Sequence, residues 1–132
     1  MKHRYCAAMM AASAFGLLGC NATSSSVETV TLSTVSGSGE AGTATLTSIS
    51  TSSTQIAITI SGGTDTGVQS AAMRSGTCGS DGTIFAQLNN LQGDSSVTTV
   101  DSELSSLTGD QYYIDVQSST NVDVIVACGE VP

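Results

Sequence analysis

The feature that most constrains this chain is an alternation of apolar and polar residues that recurs in short segments. In Thr54–Ser61 (TQIAITIS), an isoleucine occupies every second position from Ile56 to Ile60. Successive side chains of an extended strand point to opposite faces, so this spacing gives each strand one apolar face and one exposed face. The segments have a period of two, whereas a surface helix repeats its apolar residues about every 3.6 positions.

The same alternation, interrupted by glycine, aspartate, asparagine and serine, predicts about eight strands. They are Val27–Val35, Ala41–Ser50, Thr54–Ser61, Gln69–Arg74, Thr83–Leu88, Ser95–Val100, Tyr112–Gln117 and Val122–Cys128. Asn89–Asp94 is predicted to turn, and Asp101–Thr108 to form a helical turn or loop. Short strands at this spacing are typical of an all-β fold, an antiparallel Greek-key β-sandwich or barrel.

The N-terminal segment has the composition of an export signal. A basic start, MKHRY, precedes a small-residue apolar run, CAAMMAASAFGLL. A membrane-spanning helix needs about 20 apolar residues, so this run is too short to span a bilayer. A cleaved signal peptide over residues 1–19 is the expectation, and a buried N-terminal helix is the alternative.

The end of that run, Leu17-Leu18-Gly19-Cys20, resembles the lipobox of bacterial lipoproteins. The resemblance implies a diacylglyceryl thioether and acyl chains such as palmitate on Cys20. Because Asn21 and not aspartate follows the cysteine, it also implies the outer membrane, on its periplasmic face or at the cell surface. Residues 20–26 would then be a polar tether and residues 27–132 a single β-sandwich domain. The alternative is cleavage to a soluble periplasmic protein.

The charge that remains after cleavage is strongly negative. All eleven acidic residues lie beyond residue 19, whereas Arg74 is the only basic residue there, so the formal side-chain charge is −10. Such a surface repels nucleic acid and anionic lipid headgroups. The expected partner is therefore a membrane held through the lipid, together with a protein or envelope partner that the sequence does not name.

The cysteines predict a disulfide. Cys6 leaves with the signal and Cys20 takes the lipid, so Cys78 and Cys128 remain as an even pair in an oxidising compartment. Cys128 is predicted to share the core-facing side of its strand with Val122, Val124 and Val126. No histidine follows His3, which excludes a Ser-His-Asp triad and leaves no imidazole to activate a thiol.

Three segments read together resemble the CHRD-type (chordin-like) β-domain of bacterial envelope proteins and, more distantly, the copper/zinc superoxide dismutase sandwich. They are AAMRSGTCGSDGTIFAQLNNL, SSVTTVDSELSSLTGDQYYIDVQSS and VIVACGE. The resemblance implies an immunoglobulin-like or superoxide-dismutase-like sandwich with the same disulfide. It also implies metal-binding histidines at positions that hold Ala72, Arg74 and Gln117 here.

These departures predict a domain without catalysis, metal or cofactor, serving a binding or structural role. Arg74 is expected either to fill the space of the metal, hydrogen-bonded to Gln117 or a neighbouring carboxylate, or to be solvated on an exposed strand. Tyr112 is expected in the core and Tyr113 half-exposed. Two alternatives remain: a metal-binding or redox protein of the same group, and an accessory subunit that meets a histidine-bearing homologue.

Overall fold

A computed structural model describes residues 26–132. The predicted signal peptide, the predicted lipidation site Cys20 and all but the last residue of the predicted tether lie outside the described residues. The strands and one helical turn are β1 (Val27–Thr34), β2 (Glu40–Ser50), β3 (Ser53–Gly62), β4 (Gln69–Ser75), β5 (Ile84–Leu91), β6 (Ser95–Val100), α1 (Leu104–Leu107), β7 (Tyr112–Gln117) and β8 (Ile125–Glu130).

The strands form one nearly closed, barrel-like antiparallel sheet in the order β5-β4-β7-β8-β1-β2-β3-β6. β7 pairs with β4, and β6 pairs with β3. A return of this kind, past an intervening hairpin, is a Greek-key connection. The predicted all-β class is therefore confirmed.

The closing seam lies between β5 and β6, which are joined by a hairpin at Gln92 and Ser95. Asn89 reinforces the seam: its backbone N–H donates to Thr98 Oγ1 (2.8 Å), and its side-chain amide donates to the carbonyl of Val97 (2.7 Å). Side-chain bonds thus join β5 and β6 beyond the isolated backbone bridge between Gln92 and Ser95.

The apolar faces of the strands meet in one core. Ile56 and Ile58 of β3 are almost completely buried, as their alternation predicts. Leu104 and Leu107 of α1 join the same cluster, so this helical turn packs against the barrel core. Full burial of such side chains is worth about 1.5–3 kcal/mol each, and the core supplies most of the driving force for folding.

Two predicted strand boundaries differ from the structure by three residues. β5 continues to Leu91, whereas a turn was expected from Asn89, because Leu91 is fully buried and holds the strand in the sheet. The last strand begins at Ile125 and not at Val122, whose side chain is 59% exposed. Val122 and Val124 are apolar and alternate with Asp123, which predicted a strand, but the chain before Ile125 is a turn.

A β-bulge reverses the predicted faces of β8. Val116 pairs with Ala127 and Gln117 pairs with Ile125, so one extra residue of β8 is accommodated between them. Beyond this shift Ala127 belongs to the core and Cys128 pairs with Asp115. A one-residue slip moves side chains to the other face of a sheet, so the expectation that Cys128 shares the core face with Val126 is wrong.

Candidate functional site

The candidate site is a cleft of about 610 Å³ on the outer face of the β4, β7 and β8 strands. Its floor includes Arg74, Asp115 and Gln117. The loop that contains Cys78 and Asp81 forms one part of the wall, and the turn Val122–Val124 forms another. Two loops therefore cover a sheet face that alternation alone would leave to solvent.

A buried ion pair lies at the floor of the cleft. Arg74 Nε donates to Asp115 Oδ2 at 2.8 Å, with the side chains 19% and 2% exposed respectively. Arg74 Nη1 also donates to the carbonyl of Gly82 at 3.1 Å. The guanidinium thereby fixes both the carboxylate beneath it and the end of the loop beside it.

Arg74 compensates only part of the cost of burying the Asp115 carboxylate. Burial raises the pKa of its carboxyl above the ordinary value, and the positive charge and hydrogen bond of Arg74 oppose that shift without cancelling it. The second oxygen, Oδ1, is buried without a hydrogen-bond partner among the described residues. A buried acceptor of this kind normally has a donor, so the atom marks a place for a ligand or water.

The predicted disulfide is present. Cys78 and Cys128 are bonded with a Cα–Cα distance of 6.0 Å across a sequence separation of 50 residues. The backbone N–H of Cys78 also donates to Glu130 Oε2 at 3.3 Å. Both contacts hold the loop after β4 against β8, on the outer face and not on the core side.

The two tyrosines of β7 differ from expectation in their degree of burial. Tyr113 is 3% exposed, and its hydroxyl accepts a hydrogen bond from the N–H of Gly82 at 2.9 Å. Tyr112 is half-buried against the core, with its ring centroid 4.6 Å from that of Phe85. The prediction of a half-exposed Tyr113 is wrong because the disulfide-bonded loop covers that face.

The three positions singled out from the sequence gather around Asp115. Ala72 pairs with Asp115 across β4 and β7, Arg74 binds its carboxylate, and Gln117 lies two residues further along β7. Gln117 Oε1 accepts a hydrogen bond from the hydroxyl of Ser70. The neighbouring carboxylate, and not Gln117, is thus the partner of Arg74.

Asp115 itself was missed. Its position between Tyr113 and Gln117 in YYIDVQ predicts an outward, solvated side chain. The available signal was its residue type, since aspartate is depleted in strands. Within residues 26–132, no three histidine, cysteine, aspartate or glutamate side chains come together as a metal-binding group.

Outside the cleft, Asp65 ties two turns together. Its carboxylate accepts hydrogen bonds from the hydroxyl and the N–H of Ser119, the latter at 2.8 Å, and from the N–H of Gly67 at 3.0 Å. These bonds, that of the Ser119 hydroxyl foremost, lower the pKa of Asp65. Its oxygens are occupied by the protein, which is the behaviour of a turn-forming aspartate.

No helix among residues 26–132 has the length and hydropathy needed to cross a bilayer. Comparison with known proteins found no matching family model, no matching curated protein and no matching solved structure. The candidate site therefore has to be interpreted from its own geometry.

Proposed function

We propose that this chain is a lipid-anchored protein of the bacterial envelope whose β-barrel domain binds a partner through the cleft and performs no catalysis. The export signal and the lipobox at Cys20 support the anchor. The Cys78–Cys128 disulfide supports an oxidising compartment, because such bonds persist outside the cytoplasm.

The observation that carries the binding role is the unpartnered Oδ1 of Asp115 at the floor of a covered cleft. Burying a charged group is costly, and a cleft with a perturbed carboxyl and a few convergent polar groups is typical of a binding site. The sequence provides no imidazole beyond His3, and both cysteines of the described domain are oxidised. These facts favour binding over acid–base or thiol chemistry.

The anchor is tested by metabolic labelling of the full chain with an alkynyl palmitate analogue in a bacterial host. Incorporation and recovery in the detergent phase are expected for the wild type and for Asp94→Asn, a matched surface variant. Both should be lost in Cys20→Ala. Equal labelling of Cys20→Ala, or a wild-type chain that stays in the aqueous phase, would contradict lipidation at this residue.

The binding role is tested by cross-linking the anchored protein in intact envelopes. The same cross-linked species should appear with the wild type and Asp94→Asn and be reduced at least fivefold with Asp115→Asn. Asp94 lies in an exposed turn remote from the cleft lining, so both variants remove one carboxylate. Equal cross-linking in all three proteins would show that the cleft is not the binding surface.

A further inference from the structure

We propose that the cleft binds a primary ammonium group carried on an alkyl chain, with Asp115 Oδ1 as its acceptor. This inference rests on the proposed binding function and names the chemistry of the ligand. The ammonium can belong to a free alkylamine or to a lysine side chain of a partner protein, since both present the same group.

The first step is that the buried acceptor Asp115 Oδ1 has no hydrogen-bond donor among the described residues. Asp115 is 1% exposed, and its Oδ2 is bonded to Arg74 while its Oδ1 has no described partner. An acceptor left unsatisfied in a protein interior is destabilising, and more so when it is charged. A ligand that supplies an N–H to this atom recovers that cost on binding.

The second step is the sign of the charge. The carboxylates of Asp81, Asp115 and Asp123 line the cleft, and Arg74 is the only cationic residue that lines it among residues 26–132, so this lining is net negative. Eleven acidic residues against one arginine in the chain beyond residue 19 add a field of the same sign. Such a field concentrates cations and repels anions before contact is made.

The third step separates ammonium from other cations. A guanidinium pairs best with both oxygens of a carboxylate, but Asp115 Oδ2 is already occupied by Arg74 Nε. Calcium takes six to eight oxygen ligands, and no group of metal-binding side chains occurs within residues 26–132. An ammonium suits a single free oxygen because it donates separate bonds from one compact charge.

The fourth step is the apolar wall. Val35, Val122, Val124 and Ile125 line the same cleft, and Val122 is largely exposed. Methylene groups of an alkylamine or a lysine side chain pack favourably along such a wall while the charged end reaches the polar floor. The cleft thus combines a net negative lining with an apolar side, which fits an alkylammonium better than the ammonium ion alone.

The test is an NMR titration of the full chain in non-ionic detergent with n-pentylamine, N-acetyl-lysine methylamide and 1-pentanol. We expect saturable shifts of cleft amides, among them Asp115 and Gln117, with one or both amines. The alcohol should bind at least tenfold more weakly. Binding of both amines means that the alkylammonium suffices, whereas binding of the lysine derivative alone identifies a partner protein as the source.

Asp115→Asn is the decisive variant, since its amide keeps an oxygen for Arg74 and presents an NH₂ group where Oδ1 accepts. Amine affinity should fall at least tenfold in this variant and change less than twofold in Asp94→Asn. If Asp115→Asn does not fold, the wild-type shift map and the comparison with pentanol decide the matter.

Shifts outside the cleft, equal binding of the alcohol, or equal loss in both variants would overturn the inference. If neither amine binds while the Asp115-dependent cross-link persists, the ligand chemistry is wrong and the binding function stands. If, in addition, the cross-link does not depend on Asp115, both the ligand chemistry and the proposed binding function are wrong.

Discussion

Arg74 and Asp115 form a coupled pair, and removal of the arginine exposes that coupling. Arg74→Ala leaves a buried carboxylate without its cation, a change that destabilises proteins by about 3 kcal/mol near neutral pH. The pKa of Asp115 is already raised from 3.8 in the folded state because desolvation outweighs the attraction of Arg74. Without that attraction the pKa rises further.

The pH dependence follows from this direction. A folded-state pKa above the unfolded value means that the native protein binds the proton more tightly, so the contribution of Asp115 to stability decreases as pH rises from 3.8 through the folded value. The cost of Arg74→Ala should therefore be small near pH 4 and grow toward pH 7. Urea unfolding at both pH values measures it, with Arg74→Lys as a control that keeps the charge. If the stability lost on Arg74→Ala were the same at both pH values, the loss would come from the packing of the arginine side chain and not from its charge.

At the scale of single residues, the sequence indicated several positions of the site, but it did not indicate which of them interact. Arg74 stands out because it is the only basic residue beyond residue 19, and Ala72 and Gln117 stand out through the family resemblance. Tyr113 was expected to be half-exposed and Asp115 to lie on the outer face, since alternation distinguishes the two faces of a strand but not what covers the outer one. That cover comes from the disulfide-bonded loop, which is a tertiary contact.

At the scale of elements, the contact between β8 and β1 depends on a residue without a side chain. A Cβ atom on Gly129 would lie 2.1 Å from the carbonyl oxygen of Thr31 and 2.9 Å from Val30 Cγ1. The first neighbour is backbone and cannot move without breaking the sheet. We expect Gly129→Ala to lower the free energy of unfolding by more than about 3 kcal/mol, as overpacking at its upper limit does.

The matched control for this substitution is Gly93→Ala, in the β5–β6 turn. No atom lies within 4 Å of a Cβ there, so only its positive φ of 69° opposes the change. That conformation costs an alanine about 1–2 kcal/mol. Urea denaturation of both variants compares steric exclusion with backbone strain, and a smaller loss for Gly129→Ala would show that β8 can shift away from β1.

The disulfide acts on a loop and on the whole chain together. In the chain-entropy account, closing a loop across 50 residues stabilises the fold by about 4 kcal/mol. Cys78→Ala/Cys128→Ala should lose about that amount in urea denaturation and should increase amide exchange in residues 76–82 first. Unchanged exchange in this loop would mean that the bonds of Gly82 to Arg74 and Tyr113 hold it without the sulfur link.

Element boundaries were predictable where alternation and burial agree, as in β6 and β7, whose predicted and observed bounds coincide. The predicted boundaries were wrong where a tertiary contact or a bulge determines the end of the strand. Leu91 extends β5 because its side chain reaches the core. The bulge opposite Val116 shifts β8 by one residue, and no local pattern in VDVIVAC signals it.

At the scale of the molecule, the all-β class followed from strand number and spacing, whereas the strand order did not. Alternation determines which side of a strand is buried but not which strand lies beside it. The pairing of β7 with β4 and the near-closure at β5 and β6 are set by long-range packing of the shared core.

The whole-molecule charge makes a last prediction. The eleven acidic residues beyond residue 19, opposed by one arginine, repel one another in the folded domain, and unfolding separates them. Raising sodium chloride from about 0.01 to 0.1 M shortens the screening length from about 30 to 10 Å, so it should stabilise the domain by on the order of 1 kcal/mol at neutral pH.

Choline chloride provides the control for this effect, because its quaternary ammonium binds carboxylate oxygens more weakly than Na⁺ does and still screens charge. Equal stabilisation by the two salts in thermal unfolding would identify screening of the net charge. Near pH 3 most carboxylates are protonated, so the dependence should disappear. Stability that falls with salt at neutral pH would mean that the single Arg74–Asp115 attraction outweighs the repulsion among all the other acidic groups.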